Sequence, residues 1–543
     1  MRSDTMARRA NSQIHHNWSE RSTESAALIR RLLYGLTSTV VCLLLCSNRA
    51  AIANVTMPSI FGDHMVLQSD AKIRLFGCSS PHESISATFA GSTIKTQSSA
   101  SGEWSAALGP FKPGTRGNLV IRGDNELVFK DVLVGEVWLC AGQSNMALPI
   151  KDCRESDSCK NSASKYSDIR FFCVPPDATA HPLANVVGHW IQCDKDSIAD
   201  LSALGYMFAR ELHQKLNRPI GIIQSAYGGS SIVSWLSPDA ERLDRSIRPY
   251  TSVTPGSPAQ YIQYVMQKRE DEKKAKLSQR HSIPNSKNCK LEPEPPTGIA
   301  RDFDQPLVPH SVFNAMISPV LPFKIKGIVW YQGEADAEHP KLYARLFPLL
   351  IESWRHSWKD DLPFLFVQLP NFEHSQTCHP TKNAWAEFRD VQSRATKMRH
   401  TEMVVSIDQG ELYNLHPKEK EVVAHRLTLV ALKNCYGERD ITDLGPELVR
   451  AVKLGDHIVC SFNSANNLHT VPPTSPPEGF QVRAANGRWI VAPATIHNNS
   501  VYVDIHGQAE PRGLRYGWAN DPKCNLYNGA DLPMVPFNTK LTN

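Results

Sequence analysis

Ser144 stands in the run VGEVWLCAGQSNMALP, where an apolar stretch, Val137 to Ala141, breaks off into Gly142-Gln143-Ser144-Asn145-Met146. An apolar strand ending in glycine and small polar residues turns sharply and lifts a hydroxyl to the rim of a sheet. Such a hydroxyl is a nucleophile if the chain also supplies a base, a group that orients the base, and donors for an oxyanion. Other polar blocks follow other apolar stretches. Tyr227-Gly228-Gly229-Ser230-Ser231 comes after Ile220 to Ser225, and Gln332-Gly333-Glu334 after Ile325 to Trp330. Asp408-Gln409-Gly410 ends the stretch that begins at Met403, and His416 lies eight residues past Asp408.

Acyl transfer fits these residue types. Ser144 takes the role of nucleophile and His416 that of general base. The backbone N–H groups of Ser144 and Gly229, with the side-chain amide of Gln332, are candidates for the oxyanion hole. Two carboxylates compete to orient the histidine. Asp408 is favoured because an acid and a base on one short loop need less independent positioning. Glu334 either reaches the same imidazole or braces the loop. Trp330 and Tyr331 read as core rather than as a substrate platform. The G-x-S-x-G elbow is absent, so the α/β-hydrolase family is not implied. Neither C-x-x-C nor a tetrahedral ligand spacing occurs, so no metal is expected, and acyl transfer through a serine needs no organic cofactor.

These residues need a scaffold that brings strand ends together. From Val55 to Val134 short alternating segments broken by turns predict a small β-sandwich. The middle of the chain then alternates apolar strands with helical stripes. The strands are Val137–Ala141, Ile169–Val174, Ile220–Ser225, Ile325–Trp330, Phe364–Leu369 and Met403–Asp408. The stripes run through Leu201 to Leu216, Leu342 to Leu350 and Val422 to Val430. This alternation predicts an α/β fold, a parallel sheet with helices on both faces. All its strand ends would emerge on one rim. A charged and proline-rich insertion occupies about 251–300, and short strands return after Asp440. The expected division is therefore a leader over 1–53, a β-sandwich-like unit over 54–134, a catalytic unit over 135–440 and a C-terminal β region over 441–543.

The blocks GQSNM, GGSSIVSW and WYQGEAD, with LHPKEK around His416, resemble those of the sialate O-acetylesterases, a branch of the SGNH (GDSL-like) hydrolases. The terminal GLRYGWANDPKCNLYNGADLPMVPF is similar to that family too, so the resemblance spans nearly all of the chain after the leader. It implies an SGNH-like core and removal of O-acetyl groups from sialic acids or sialoglycans through an acetyl-serine intermediate. The alternatives are an esterase for another acetylated carbohydrate, such as acetylxylan, and a silent glycan-binding relative. Two positions depart from the family pattern. Asp336 stands where relatives have asparagine in WYQGExN. Tyr413 stands where many SGNH enzymes carry an aspartate three residues before the histidine, which leaves the orienting acid open.

Composition narrows the setting. The 543 residues carry a formal net charge of +5. Lysine and arginine do not gather on one predicted helix or strand, so nucleic acid is not an expected partner. Arg30-Arg31, the short apolar stretch Leu32 to Cys46 and Ala51-Ile52-Ala53 form the three parts of a secretory signal. No other segment is apolar enough to cross a bilayer, so no stable membrane insertion is expected once the leader is cleaved. Secretion or delivery to the lysosome follows, with glycosylation sequons at Asn54 and Asn498. In an oxidising compartment most of the eleven cysteines outside the leader are expected to pair, with at least one thiol left over.

Overall fold

The computed structural model describes residues 54–251, 308–372, 384–507 and 510–541. The expected leader, nearly all of the charged insertion, and Cys289 and Cys378 lie outside these residues. The N-terminal strands are β1 (Val66–Gln68), β2 (Ile73–Cys78), β3 (Ser84–Phe89), β4 (Ser92–Gln97), β5 (Glu103–Leu108) and β6 (Arg116–Arg122), followed by the long β7 (Glu126–Gly142). β2 and β5 pair on each other, while β4, β3, β6 and β7 form an antiparallel run.

β7 shows how the residue pattern builds two units from one strand. Over Glu126–Asp131 exposure alternates residue by residue, as on a sheet with one wet face. From Val132 to Gly142 every residue is buried, as in a parallel strand covered on both faces. The expected boundary between 134 and 135 therefore falls inside a continuous strand rather than in a linker. Glu136 pins that crossing. It is 1% exposed, and its carboxylate accepts from Ser69 Oγ (2.7 Å), Arg218 Nη1 (2.8 Å) and Tyr436 Oη (3.2 Å).

The remaining core strands are β8 (Ile169–Cys173), β9 (Trp190–Gln192), β10 (Ile220–Ala226), β11 (Gly327–Tyr331), β12 (Phe364–Val367) and β13 (Thr401–Val404). They assemble with β7 in the order β13-β12-β11-β7-β10-β8-β9. All neighbours in this order are parallel except β8 and β9. β7 sits where the order turns. Successive parallel strands are laid on one side as β10 and β8, and on the other as β11, β12 and β13. Ligand sites in open α/β sheets lie at such switch points, outside the carboxyl ends of the strands.

Helices cover both faces, as the periodicity predicts. Trp138 points to one face, edge-on to Phe208 of helix α1 (Ala203–Leu216) with ring centroids 5.4 Å apart. Its indole N–H donates to Tyr436 of helix α2 (Glu421–Tyr436). Trp330, Phe364 and Phe366 share the opposite face and meet Trp354 and Phe347 of helix α3 (Pro340–Trp358). α3 in turn packs on helix α4 (Ala384–Ser393). Trp330 and Tyr331 are core residues, at 0% and 1% exposure.

Past Asp440 two four-stranded antiparallel sheets carry a separate apolar cluster around Ile458, Phe480, Val501 and Leu514. Among the described residues the expected cysteine pairing is not found. All nine described cysteines are free thiols, and Cys140 is buried within β7 with its thiol pushed up above the ordinary range. Among the described residues no helix is long and apolar enough to cross a membrane.

Candidate active site

Gly142 closes β7 with φ +142°, and a Cβ there would fall 2.1 Å from the Tyr331 carbonyl oxygen. Only glycine lets β7 stay beside β11 while the backbone turns. Ser144 then opens a single helical turn, Ser144–Ala147. The first N–H groups of a helix have no intrahelical acceptor, so the Ser144 N–H points out of the turn. Gln143 holds the turn from the other side. Its N–H donates to Tyr331 O (3.0 Å), and its Oε1 accepts from Gly333 N–H (3.2 Å).

The structure places His416 against Ser144, with Nε2 2.8 Å from Oγ. With a neutral ring, the serine O–H donates to Nε2 and the ring proton sits on Nδ1. Burial first, then the Lys420 ammonium, holds the imidazole below its usual pKa. Asn414 shapes the loop. Its Oδ1 accepts from His416 N–H (3.0 Å), and its Nδ2 donates to His416 O (2.9 Å) and Glu411 Oε2 (2.8 Å).

The turn after β10 also faces the serine. Tyr227 N–H donates to Gly142 O at 2.9 Å, and a Cβ on Gly228 would stand 3.7 Å from Ser144 Cβ. Gly229 has φ +71° and is exposed, and its N–H has no acceptor among the described residues. Ser144 and Gly229 therefore offer two backbone donors beside the nucleophile.

Gln332 does not join them. It is 0% exposed, and its Nε2 donates to Ser230 O (3.0 Å) and Asp336 Oδ2 (2.5 Å). Both amide hydrogens are spent on bracing the turn from Tyr227 to Ser231, so the expectation of an oxyanion donor is corrected. Asp336 completes that brace, accepting from Ser231 Oγ (2.6 Å) and Ile232 N–H (2.9 Å).

Asp408 is corrected as well. It does not meet His416. Arg426 of α2, 5% exposed, grips its two carboxylate oxygens at 2.7 Å each, and Tyr527 adds a bond at 3.2 Å. The reason lies in strand order. β13 is three strands away from β7, roughly 14 Å at ordinary strand spacing. The eight residues after Asp408 are used to carry His416 across that gap, so the aspartate stays at the sheet edge.

Glu334 takes the other role foreseen for it. Its Oε1 accepts from Asn145 Nδ2 at 2.5 Å, and the same amide donates to Leu415 O at 3.0 Å, one residue before His416. Glu334 therefore braces the loop through Asn145. Burial pushes its carboxyl above the usual range, and Oε2 is closed off from solvent. Asn145 and Lys420 were not singled out as functional by the sequence, although both lie inside the quoted blocks GQSNM and LHPKEK. Among the described residues no group of three or more His, Cys, Asp or Glu side chains is gathered as a metal site.

Comparison with known proteins gives the family. The family model for carbohydrate esterase, sialic acid-specific acetylesterase, matches residues 134–255 and 308–425. The sialate O-acetylesterase of Rattus norvegicus is 27% identical, with 91% of this chain and 96% of that protein covered. The human sialate O-acetylesterase is 26% identical, covering 93% and 96%. A crystal structure of a carbohydrate acetylesterase from Xanthomonas citri is similar at 30% identity and a TM-score of 0.75, over 90% of this chain and 99% of that one. The chain belongs to the sialate O-acetylesterase family of carbohydrate esterases.

Proposed function

We propose that this protein is a serine esterase that removes O-acetyl groups from sialic acids, with Ser144 and His416 as its catalytic pair. The observation that carries the chemistry is the 2.8 Å contact between Ser144 Oγ and His416 Nε2 on the rim where the Gly229 turn leaves an N–H unused. The family carries the substrate class. In the first half-reaction Ser144 Oγ bonds to the acetyl carbon as its proton passes to His416 Nε2. The developing oxyanion lies against the Ser144 and Gly229 N–H groups. His416 then returns the proton to the sugar oxygen as the C–O bond breaks. Water attacks the acetyl-serine by the same route in reverse and releases acetate.

The secretory route belongs to the same reading. It is supported by the leader around Arg30 to Ala53 and by the exposed Asn54 and Asn498.

Acetate release from 9-O-acetylsialate, a 4-O-acetyl analogue and acetylxylan, measured side by side, tests the substrate. Faster turnover of acetylxylan than of either sialate would overturn the substrate assignment and leave the esterase. For the chemistry, Ser144→Ala should cut kcat by about 10⁴-fold or more and abolish fluorophosphonate labelling. The double variant with His416→Ala should lose little more, since nucleophile and base act as a unit. Near-normal turnover by folded Ser144→Ala would end the serine mechanism.

A further inference from the structure

Under the His416 loop lies a group of polar side chains that the acyl-transfer steps do not touch. Lys420 is 1% exposed and immediately precedes α2. Its ammonium donates to Asn145 Oδ1 at 2.9 Å and stands 5.6 Å over the Tyr331 ring. A cation tells the two ends of an amide apart. With Oδ1 drawn to Nζ, Nδ2 must face the other way, where it finds Glu334 Oε1 and the Leu415 carbonyl. One side chain, next to the nucleophile in sequence, thereby grips the residue next to the base.

We propose that Lys420 is a positioning residue of the esterase, fixing the Asn145 amide so that it clamps Leu415 and aligns His416 with Ser144. The proposal rests on the Ser144–His416 reading above. It explains how the base is held when Asp408 is committed to Arg426 and no carboxylate among the described residues meets His416 Nδ1.

A lysine does more here than a neutral donor would. Burial pushes its pKa down to about 8, against the pull of Glu334 from the end of β11, Glu411 from the loop, and Cys153 and Glu155 from the segment after the Ser144 turn. It is therefore cationic at neutral pH. After burial, that charge is the second cause holding the imidazole pKa down. A fixed positive charge beside an imidazole disfavours its protonation and keeps the base free in more acidic solution. Lys420 thus has two separable effects, one on alignment and one on the acid limb of the pH profile.

The test uses the full chain with Lys420→Met, Lys420→Arg and Asn145→Ala, following kcat and KM from pH 4 to 9 alongside thermal melting. Lys420→Met should lose about 10- to 100-fold in kcat with KM little changed. Its acid limb should move up by about half a unit or more as the positive charge goes. Lys420→Arg should keep the parent's acid limb. Asn145→Ala keeps the charge and cuts the clamp, so kcat should fall without that upward shift. It also serves as the second route if Lys420→Met does not fold. A folded Lys420→Met with kcat within about twofold of the parent and an unmoved acid limb would overturn the proposal. So would Asn145→Ala at full kcat. His416→Ala keeps the cases apart, because an active His416→Ala removes the base reading itself, whatever Lys420 does.

Discussion

Two side chains that lie eight residues apart in sequence both titrate below their ordinary values, one kept neutral and the other kept charged. His416 is held below the ordinary imidazole value by burial and by Lys420, and its neutral form is the base. Activity should therefore persist on the acid side, with the midpoint of kcat/KM below the unperturbed value of about 6.5. A midpoint above that value would contradict the placement of His416 beside Lys420. Burial alone would raise the Asp408 pKa, but the hydrogen bonds and charge of Arg426 outweigh it and hold it below the usual carboxylate range. Its contribution to stability is complete above the unfolded carboxylate pKa and is lost only as pH falls through the lower folded value. Asp408→Asn should thus act on the fold. It strips the charge from a buried pair and leaves Arg426 short of a partner, at a cost of about 3–5 kcal/mol. Thermal unfolding should show that loss while kcat of the folded variant stays within a few-fold. A stable Asp408→Asn with kcat down by about 10⁴-fold would return Asp408 to the catalytic role that the structure does not give it.

At the scale of elements, the parts that positioned the site were readable wherever one strand or helix carried its own pattern. The buried run of Val137 to Ala141 and the stripes that became α1, α3 and α2 are local signals, and each, Leu201 apart, falls inside one observed element, although β7 begins eleven residues before Val137 and α3 runs eight residues past Leu350. Strand order is not a local signal. Asp408 was favoured because it is near His416 in sequence, yet two strands, β12 and β11, separate its edge from the strand that carries Ser144. Lys420 was invisible for a related reason, since a lysine in HPKEK reads as surface charge until tertiary packing buries it. Conversely, the structure gives a reason for the departure at Asp336. One oxygen accepts Ile232 N–H and Gln332 Nε2, and the other meets only the Ser231 hydroxyl, which can accept as readily as donate. An asparagine fits that set with its amide nitrogen toward Ser231. Asp336→Asn should therefore keep kcat within a few-fold. Asp336→Ala leaves Gln332 and the Ile232 N–H short of acceptors and should cost about 1–3 kcal/mol. Because the braced turn carries Gly229, that variant should also lose about tenfold or more in kcat. Equal kcat for the two variants would mean that the turn does not depend on this carboxylate.

For the whole molecule, the question is why the C-terminal β region, which has its own apolar cluster, should stay on the core at all. Arg389 of α4 supplies much of the answer. It is 0% exposed and donates to the carbonyls of Pro370 (3.3 Å), Gly517 (3.4 Å), Ala519 and Asn520 (3.2 Å), so one guanidinium ties the core to the segment that leads into Tyr527. Asn371 adds a bond to Asp521, and Tyr527 reaches Asp408. A planar fork can span several carbonyls at once, and a lysine with a single ammonium on a flexible stem cannot. Burial pushes the Arg389 pKa down to about 10, still well above neutrality, so the group remains cationic where the protein works. Arg389→Met should keep the apolar packing of α4 but leave the Gly517 and Ala519 carbonyls without donors, each a loss of about 1–3 kcal/mol before relaxation or water entry, while Pro370 O keeps the Trp385 indole and Asn520 O keeps the Phe372 N–H. Calorimetry should then resolve an earlier, separate transition for the C-terminal region, because the contacts that make it melt with the core are gone. Arg389→Lys should behave almost as poorly. The prediction fails if Arg389→Met unfolds in a single transition at the parent temperature, which would place the joint in the apolar contacts around Cys524 and Val535 instead.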